Sequence, residues 1–147
     1  MNRIAIFASG AGSNAKKIIE YLAELKKRGN TVAEIGLIVC NKPGAGVLTI
    51  AEENNIPTLL IDKEKFFRGN AYVDELEATD IGLIVLAGFL WKIPEALVKA
   101  YHHKMINIHP ALLPKYGGKG MYGHFVHEAV IANKEKESGI TIHYVDD

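Results

Sequence analysis

Short β-branched and aliphatic runs alternate with amphipathic stretches along this chain, and that alternation narrows the fold more than any other feature. RIAIFA (3–8) reads as a buried strand. Asn14 to Lys27 follows as a helix with Ile18, Ile19, Leu22 and Leu25 on one face. AEIGLIV (33–39) is a second strand, GVLTIAEENN (46–55) a short helix, PTLLI (57–61) a third strand, and Ala71 to Ala78 another helix. IGLIVLA (81–87) is the most hydrophobic run, which predicts a central strand covered on both faces. Pro94 suits the first turn of a helix running to about His102. MINIH (105–109) is a fifth strand, Phe125 to Asn133 a helix, and ITIHYV (140–145) a sixth strand. Strand–helix alternation of this kind predicts an α/β, doubly wound, mostly parallel sheet with right-handed crossovers. At 147 residues the chain is read as a single domain, 1–147.

In such sheets ligands lie beyond the carboxyl ends of the strands. That rule selects three loops: Ser9–Asn14, Gly88–Ile93 and Asn107–Gly118. Composition limits what they can hold. Lys+Arg and Asp+Glu balance at 17 each, so nothing marks a nucleic-acid or membrane footprint, and small-molecule substrates are the expected partners. Cys40 is the single cysteine, which excludes an intramolecular disulfide. The longest apolar run, Ile81 to Trp91, is too short to span a bilayer, and the N-terminus lacks a signal peptide's long apolar stretch. A cytoplasmic location is the expectation.

SGAGSN (9–14) joins the first strand to the first helix. Glycines allow a ligand close to the backbone, and the N–H groups of a helix N-terminus hold an anion. Gly10-x-Gly12-x-x-Ala15 fits a relaxed dinucleotide fingerprint, but the second strand ends in Cys40-Asn41-Lys42 instead of an acid able to grip a ribose diol. Gly12, Ser13 and Asn14 therefore favour a terminal phosphate; a merely tight strand–helix turn is the plainer alternative.

Asn107 and His109 fall two apart at a strand end, which puts them on one face of the sheet. An amide donor beside a titratable imidazole suits oxyanion stabilisation and proton movement. With no Ser or Cys nucleophile in an elbow nearby, the pair favours direct attack by a substrate nucleophile. A histidine satisfied within its own loop is the alternative. His124 and His127 do not match a metal-ligand pattern, so no metal is expected. His102 and His103 read as solvated residues near a helix C-terminus, and His143 as a half-buried structural residue of a strand.

These segments carry a resemblance. From SGAGSN through LAGFLWKI and NIHPALLPKYGGKGMYG to GITIHYVDD, the chain resembles the phosphoribosylglycinamide formyltransferases of purine synthesis. The resemblance implies a Rossmann-like formyltransferase fold, 10-formyltetrahydrofolate as formyl donor and the amine of glycinamide ribonucleotide as acceptor. Gly12, Ser13 and Asn14 would hold the acceptor's phosphate. Phe89, Leu90, Trp91, Lys92 and Ile93 would line the folate pocket, with Arg68 flanking the donor's tail and Asn107, Asp146 and Asp147 bordering it. Asn107 and His109 would be the catalytic pair, the first donating to the developing oxyanion and the second neutralising it and relaying the proton.

Members of that family run several tens of residues further and carry, in an acidic loop, an Asp that orients the catalytic His. The pattern puts that Asp beyond Asp147, with Asp146 and Asp147 matching the start of the loop. The expectation is a C-terminally short domain with impaired transfer, whose exposed sheet edge and apolar surface either pair with a second copy as a homodimer or leave the chain marginal and prone to aggregate. Three other functions compete. A formyltetrahydrofolate deformylase would use water as nucleophile. A transfer-RNA formyltransferase would need a basic extension. A nucleotide-binding module or inert form would use the first loop without catalysis.

Overall fold

The computed structural model describes residues 2–109 and 141–145. The elements run β1 (Asn2–Ala8), α1 (Ser13–Lys27), β2 (Ala33–Cys40), α2 (Gly46–Glu53), β3 (Thr58–Leu60), α3 (Lys63–Arg68), α4 (Val73–Ala78), β4 (Leu83–Ala87), α5 (Glu95–Ala100), β5 (Met105–His109) and β6 (Thr141–Tyr144). The period-2 alternation of a strand divides each central strand between two cores. Ile4, Ile6 and Ala8 of β1 join Ile38, Val85 and Ile106 under α1 and α2. Ala5 and Phe7 join Val39, Ile84, Leu86 and Met105 against Phe66, Leu76 and Leu97 of α3, α4 and α5.

The sheet order is β3-β2-β1-β4-β5-β6. β1 to β5 run parallel to one another. The chain therefore winds outward from β1 in one direction to β3 and returns to β4 on its other side. This reversal opens a crevice at the carboxyl ends of β1 and β4. β4 is central, as its sequence predicted, with all five residues buried. β6 is the exception that leaves the sheet mostly parallel, as expected: it pairs antiparallel with β5, Asn107 opposite His143 and His109 opposite Thr141. An antiparallel edge strand on a parallel sheet keeps every ladder bond and needs no crossover helix of its own sense.

Two local readings change. Residues 63–68 form a helix that periodicity alone did not reveal. It opens where the Asp62 side chain accepts from the Lys65 N–H at 2.9 Å, and its C-cap is Gly69. The next helix starts at Val73 rather than at Ala71, because Ala71 and Tyr72 adopt left-handed backbone, with φ of 55° and 64°. Such conformations cost free energy for residues with a Cβ, and burial of both side chains opposes that cost. Pro94 caps α5, which ends at Ala100. The helix expected over Phe125–Asn133, with His124 and His127, lies outside the described residues.

Candidate active site

The first loop leaves β1 and enters α1 through Gly12, whose φ of 81° is left-handed backbone that glycine adopts without strain. A Cβ there would also lie 2.8 Å from the Cβ of Val47, so glycine is required by the packing of α1 on α2. The N–H of Val47 donates to Gly10 O at 3.0 Å, and Gly46 packs against Ala11. The first helical bond of α1 runs from the Lys16 N–H to Gly12 O at 2.8 Å. The N–H groups of Ser13, Asn14 and Ala15 thus point out of the helix start, with no side-chain cap and no acidic residue in the first turn. Ser13 is exposed and Asn14 half-buried beside them. This is a positive helix end facing the crevice, suited to an anion.

Asn41, where a dinucleotide fold would set its acid, faces inward. Its Oδ1 accepts from the buried Ser9 hydroxyl at 2.6 Å. Ser9 Oγ in turn accepts from the Leu90 N–H at 2.9 Å, and the Ser9 N–H donates to Gly88 O at 3.1 Å. The ends of β1, β2 and β4 are thereby joined at one side chain.

The second loop, Gly88–Ile93, begins with Gly88 at φ 74°. Phe89, Trp91 and Ile93 pack onto the aromatic core, while Leu90 is 81% exposed and Lys92 is exposed. Phe89 meets Phe7 edge-on at 5.3 Å and Phe66 at 5.9 Å. Trp91 lies 5.7 Å from Phe66 and 5.5 Å from Phe67. Phe67 is 40% exposed, so α3 and the loop that follows β4 form one partly exposed aromatic shelf. Arg68 projects from the same helix, 3.4 Å from Glu64, with both side chains largely exposed. Behind the shelf, the Tyr72 hydroxyl donates to Asp62 Oδ2 at 3.1 Å and accepts from the Asp62 N–H at 3.0 Å. The Lys65 N–H and the Tyr72 hydroxyl hold the Asp62 carboxyl below the usual carboxylate range. Lys65 pairs with Glu75, lowering that carboxyl and raising the lysine, and stacks over the Tyr72 ring at 4.5 Å. These contacts anchor α3 to α4.

Asn107 is half-buried at the carboxyl end of β5, level with Leu86 of β4 and on the Met105 side of the sheet, which is the side of the aromatic shelf. The backbone of His109 closes the same strand, opposite Thr141. The side chains of His109 and His143, together with Asp146 and Asp147, lie outside the described residues. The fold thus gathers Gly12, Ser13, Asn14, the 89–93 loop and Asn107 around one crevice. Arg68 stands further out along α3. His102 and His103 are exposed past α5, away from the strand ends, as expected. Two features escaped the sequence reading. One is the shelf contributed by α3, which the Asp62 cap and Gly69 stop could have signalled. The other is the role of Ser9, whose partners lie 32 and 81 positions away. Among the described residues no three His, Cys, Asp or Glu gather as a metal site, and no helix is long and apolar enough to cross a membrane.

Residues 2–147 match the family model described as formyl transferase. The chain is 40% identical over 149 residues to a chloroplastic phosphoribosylglycinamide formyltransferase of Vigna unguiculata, covering 99% of this chain and 46% of that protein. It is 37% identical to phosphoribosylglycinamide formyltransferase of Bacillus subtilis, covering 100% of this chain and 73% of the relative. Among solved structures, glycinamide ribonucleotide transformylase 1 from Geobacillus kaustophilus superposes with a TM-score of 0.70 at 33% identity, covering 100% of this chain and 76% of the other. The chain spans about half the length of the chloroplastic relatives it matches. With a family match along nearly its whole length and the strand-end crevice to go with it, this chain belongs to the formyl transferase family.

Proposed function

We propose that the chain carries the donor and acceptor site of a phosphoribosylglycinamide formyltransferase, moving a formyl group from 10-formyltetrahydrofolate to the amine of glycinamide ribonucleotide. The observation that carries this reading is the convergence of three strand-end segments on the crevice between β1 and β4. An uncapped helix start is on one side of it, an aromatic shelf on the other, and Asn107 beside the shelf.

The first turn of α1, with Ser13 and Asn14, holds the acceptor's phosphate through backbone N–H groups and short polar side chains. Phe67 and Trp91 offer flat faces to the ring system of the donor, Leu90 offers apolar contact, and Arg68 suits a carboxylate tail. Two ligands held on opposite walls bring amine and formyl carbon together without a covalent enzyme intermediate. As the amine attacks, the formyl oxygen gains negative charge. Asn107 donates to that oxygen, and a protonated His109 neutralises it. Removing one such donor costs about 2.7–4 kcal/mol in the barrier. His109, directly or through water, then carries the proton from the amine to the departing nitrogen.

The test is a formyl-transfer assay with His109→Ala and Asn107→Ala beside the parent protein. His109→Ala is expected to lower kcat by about 10²–10⁴-fold with donor affinity little changed. A variant keeping more than about a tenth of the parent kcat would remove His109 from proton transfer.

A further inference from the structure

We infer that Ser9 is a positioning residue that locks the donor loop to the acceptor loop, so that one buried hydroxyl sets the separation of the two subsites. The inference rests on the assignment of those loops to the two substrates.

Apart from the core tyrosines, Ser9 is the one polar residue buried among the described residues, at 3% exposure. A hydroxyl has one proton to give and two lone pairs to accept with. Here the proton goes to Asn41 Oδ1 beyond β2, and a lone pair takes the Leu90 N–H beyond β4. The Ser9 N–H meets Gly88 O, which the left-handed turn at Gly88 presents to it. A nucleophilic role does not fit this arrangement, because the proton faces an amide oxygen rather than a base and the oxygen is enclosed.

The need for such a link follows from where the sheet stops. The last β1–β4 register pair is Phe7 with Leu86, and beyond it a single backbone bond, Ser9 N–H to Gly88 O, is joined by the bonds of the Ser9 hydroxyl. Leu90 cannot anchor its own segment by packing, since its side chain is 81% exposed. Its backbone amide is held by Ser9 instead. A strand–helix turn that served only to reverse the chain would need neither this hydroxyl nor its distant partners. Direct transfer between two bound ligands does need it, because misplacing reacting atoms by about 1 Å can cost about 10²-fold in rate.

Ser9→Ala removes the hydroxyl with little change in volume and is the variant to examine. Three readouts are taken: hydrogen exchange at the Leu90 amide, affinity for glycinamide ribonucleotide and for folic acid each titrated alone, and kcat for transfer. The expected result is exchange at Leu90 faster by about tenfold or more. It is joined by a kcat lower by about 10–100-fold, with each single-ligand affinity kept within about threefold. Unchanged exchange at Leu90 would overturn the link itself. Faster exchange with an unchanged kcat would overturn the positioning role. So would a kcat loss accompanied by equal loss of both affinities and of thermal stability, which marks a purely structural residue. If the parent protein binds neither ligand, the proposed function fails on its own account; the exchange readout still upholds or overturns the Ser9 link.

Discussion

The two faces of the sheet are built from different material. Under α1 and α2 every buried residue is small or aliphatic: Ala8, Ala15, Ile18, Val47 and Ala51 are typical. On the other face Phe7, Phe66, Tyr72 and Tyr101 fill the core, with Phe89 and Trp91 packed against them. The aliphatic side lets backbones approach closely, as Gly12 on Val47 and Gly46 on Ala11 do, and its product is a tightly packed loop. The aromatic side fills volume with rings at 5.2–6.3 Å, mostly steeply inclined, and leaves part of one, Phe67, uncovered. The two walls of the strand-end crevice therefore differ in chemistry, as the proposed pairing of a charged ligand with a flat one requires.

Substitutions on the two faces sharpen that contrast. Phe66 is fully buried at the centre of the aromatic contacts. Phe66→Ala is expected to cost about 3–5 kcal/mol in urea unfolding, and a loss below about 2 kcal/mol would mean that the rings add little to the core. On the aliphatic face, Gly12→Val combines overpacking against Val47 with strain at positive φ. It is expected to cost about 2–5 kcal/mol of stability in the same assay, before any effect on ligand. A fully stable Gly12→Val protein whose acceptor affinity falls would shift the glycine requirement from packing to ligand approach.

Tyr101 gives a smaller, pH-dependent effect. Its hydroxyl donates to Ile81 O at 2.9 Å, and burial pushes its pKa up to about 12. A folded-state pKa above the unfolded value of about 10 means that the contribution is complete below that pH. It disappears as pH rises towards 12. Tyr101→Phe should cost about 1–3 kcal/mol near neutrality, by leaving the Ile81 carbonyl without its donor. The gap between parent and variant should close as pH climbs through that window; a gap that stayed constant would contradict the buried-hydroxyl account. The smallest effect belongs to the exposed Glu64–Arg68 pair. Glu64→Ala should change stability by no more than about 0.5 kcal/mol, and a larger loss would show that α3 depends on that pair.

The contrast also explains what the sequence made legible. The proposed acceptor wall is local: a glycine loop, a 15-residue helix with Ile18 and Ile19 on its buried face, and a strand before it. Periodicity and turn chemistry read all three. Asn107 was legible for the same reason, since two polar positions spaced by one apolar residue break an otherwise buried strand. The proposed donor wall is long-range. Phe66 meets Phe89 and Trp91 from beyond β4, α3 has only six residues and too few turns for a period, and Ser9 joins three strand ends that no window spans. The antiparallel sense of β6 was hidden too, because a short apolar run carries no direction.

Calorimetric titration of Asn14→Ala and Trp91→Ala, each against glycinamide ribonucleotide and folic acid, tests most directly whether the two walls serve two ligands. Asn14→Ala should weaken the ribonucleotide by at least about tenfold, or about 1.4 kcal/mol, and leave folic acid within about twofold. Trp91→Ala should show the reverse pattern. Loss of folic acid binding in Asn14→Ala, or of ribonucleotide binding in Trp91→Ala, would contradict the assignment of the walls.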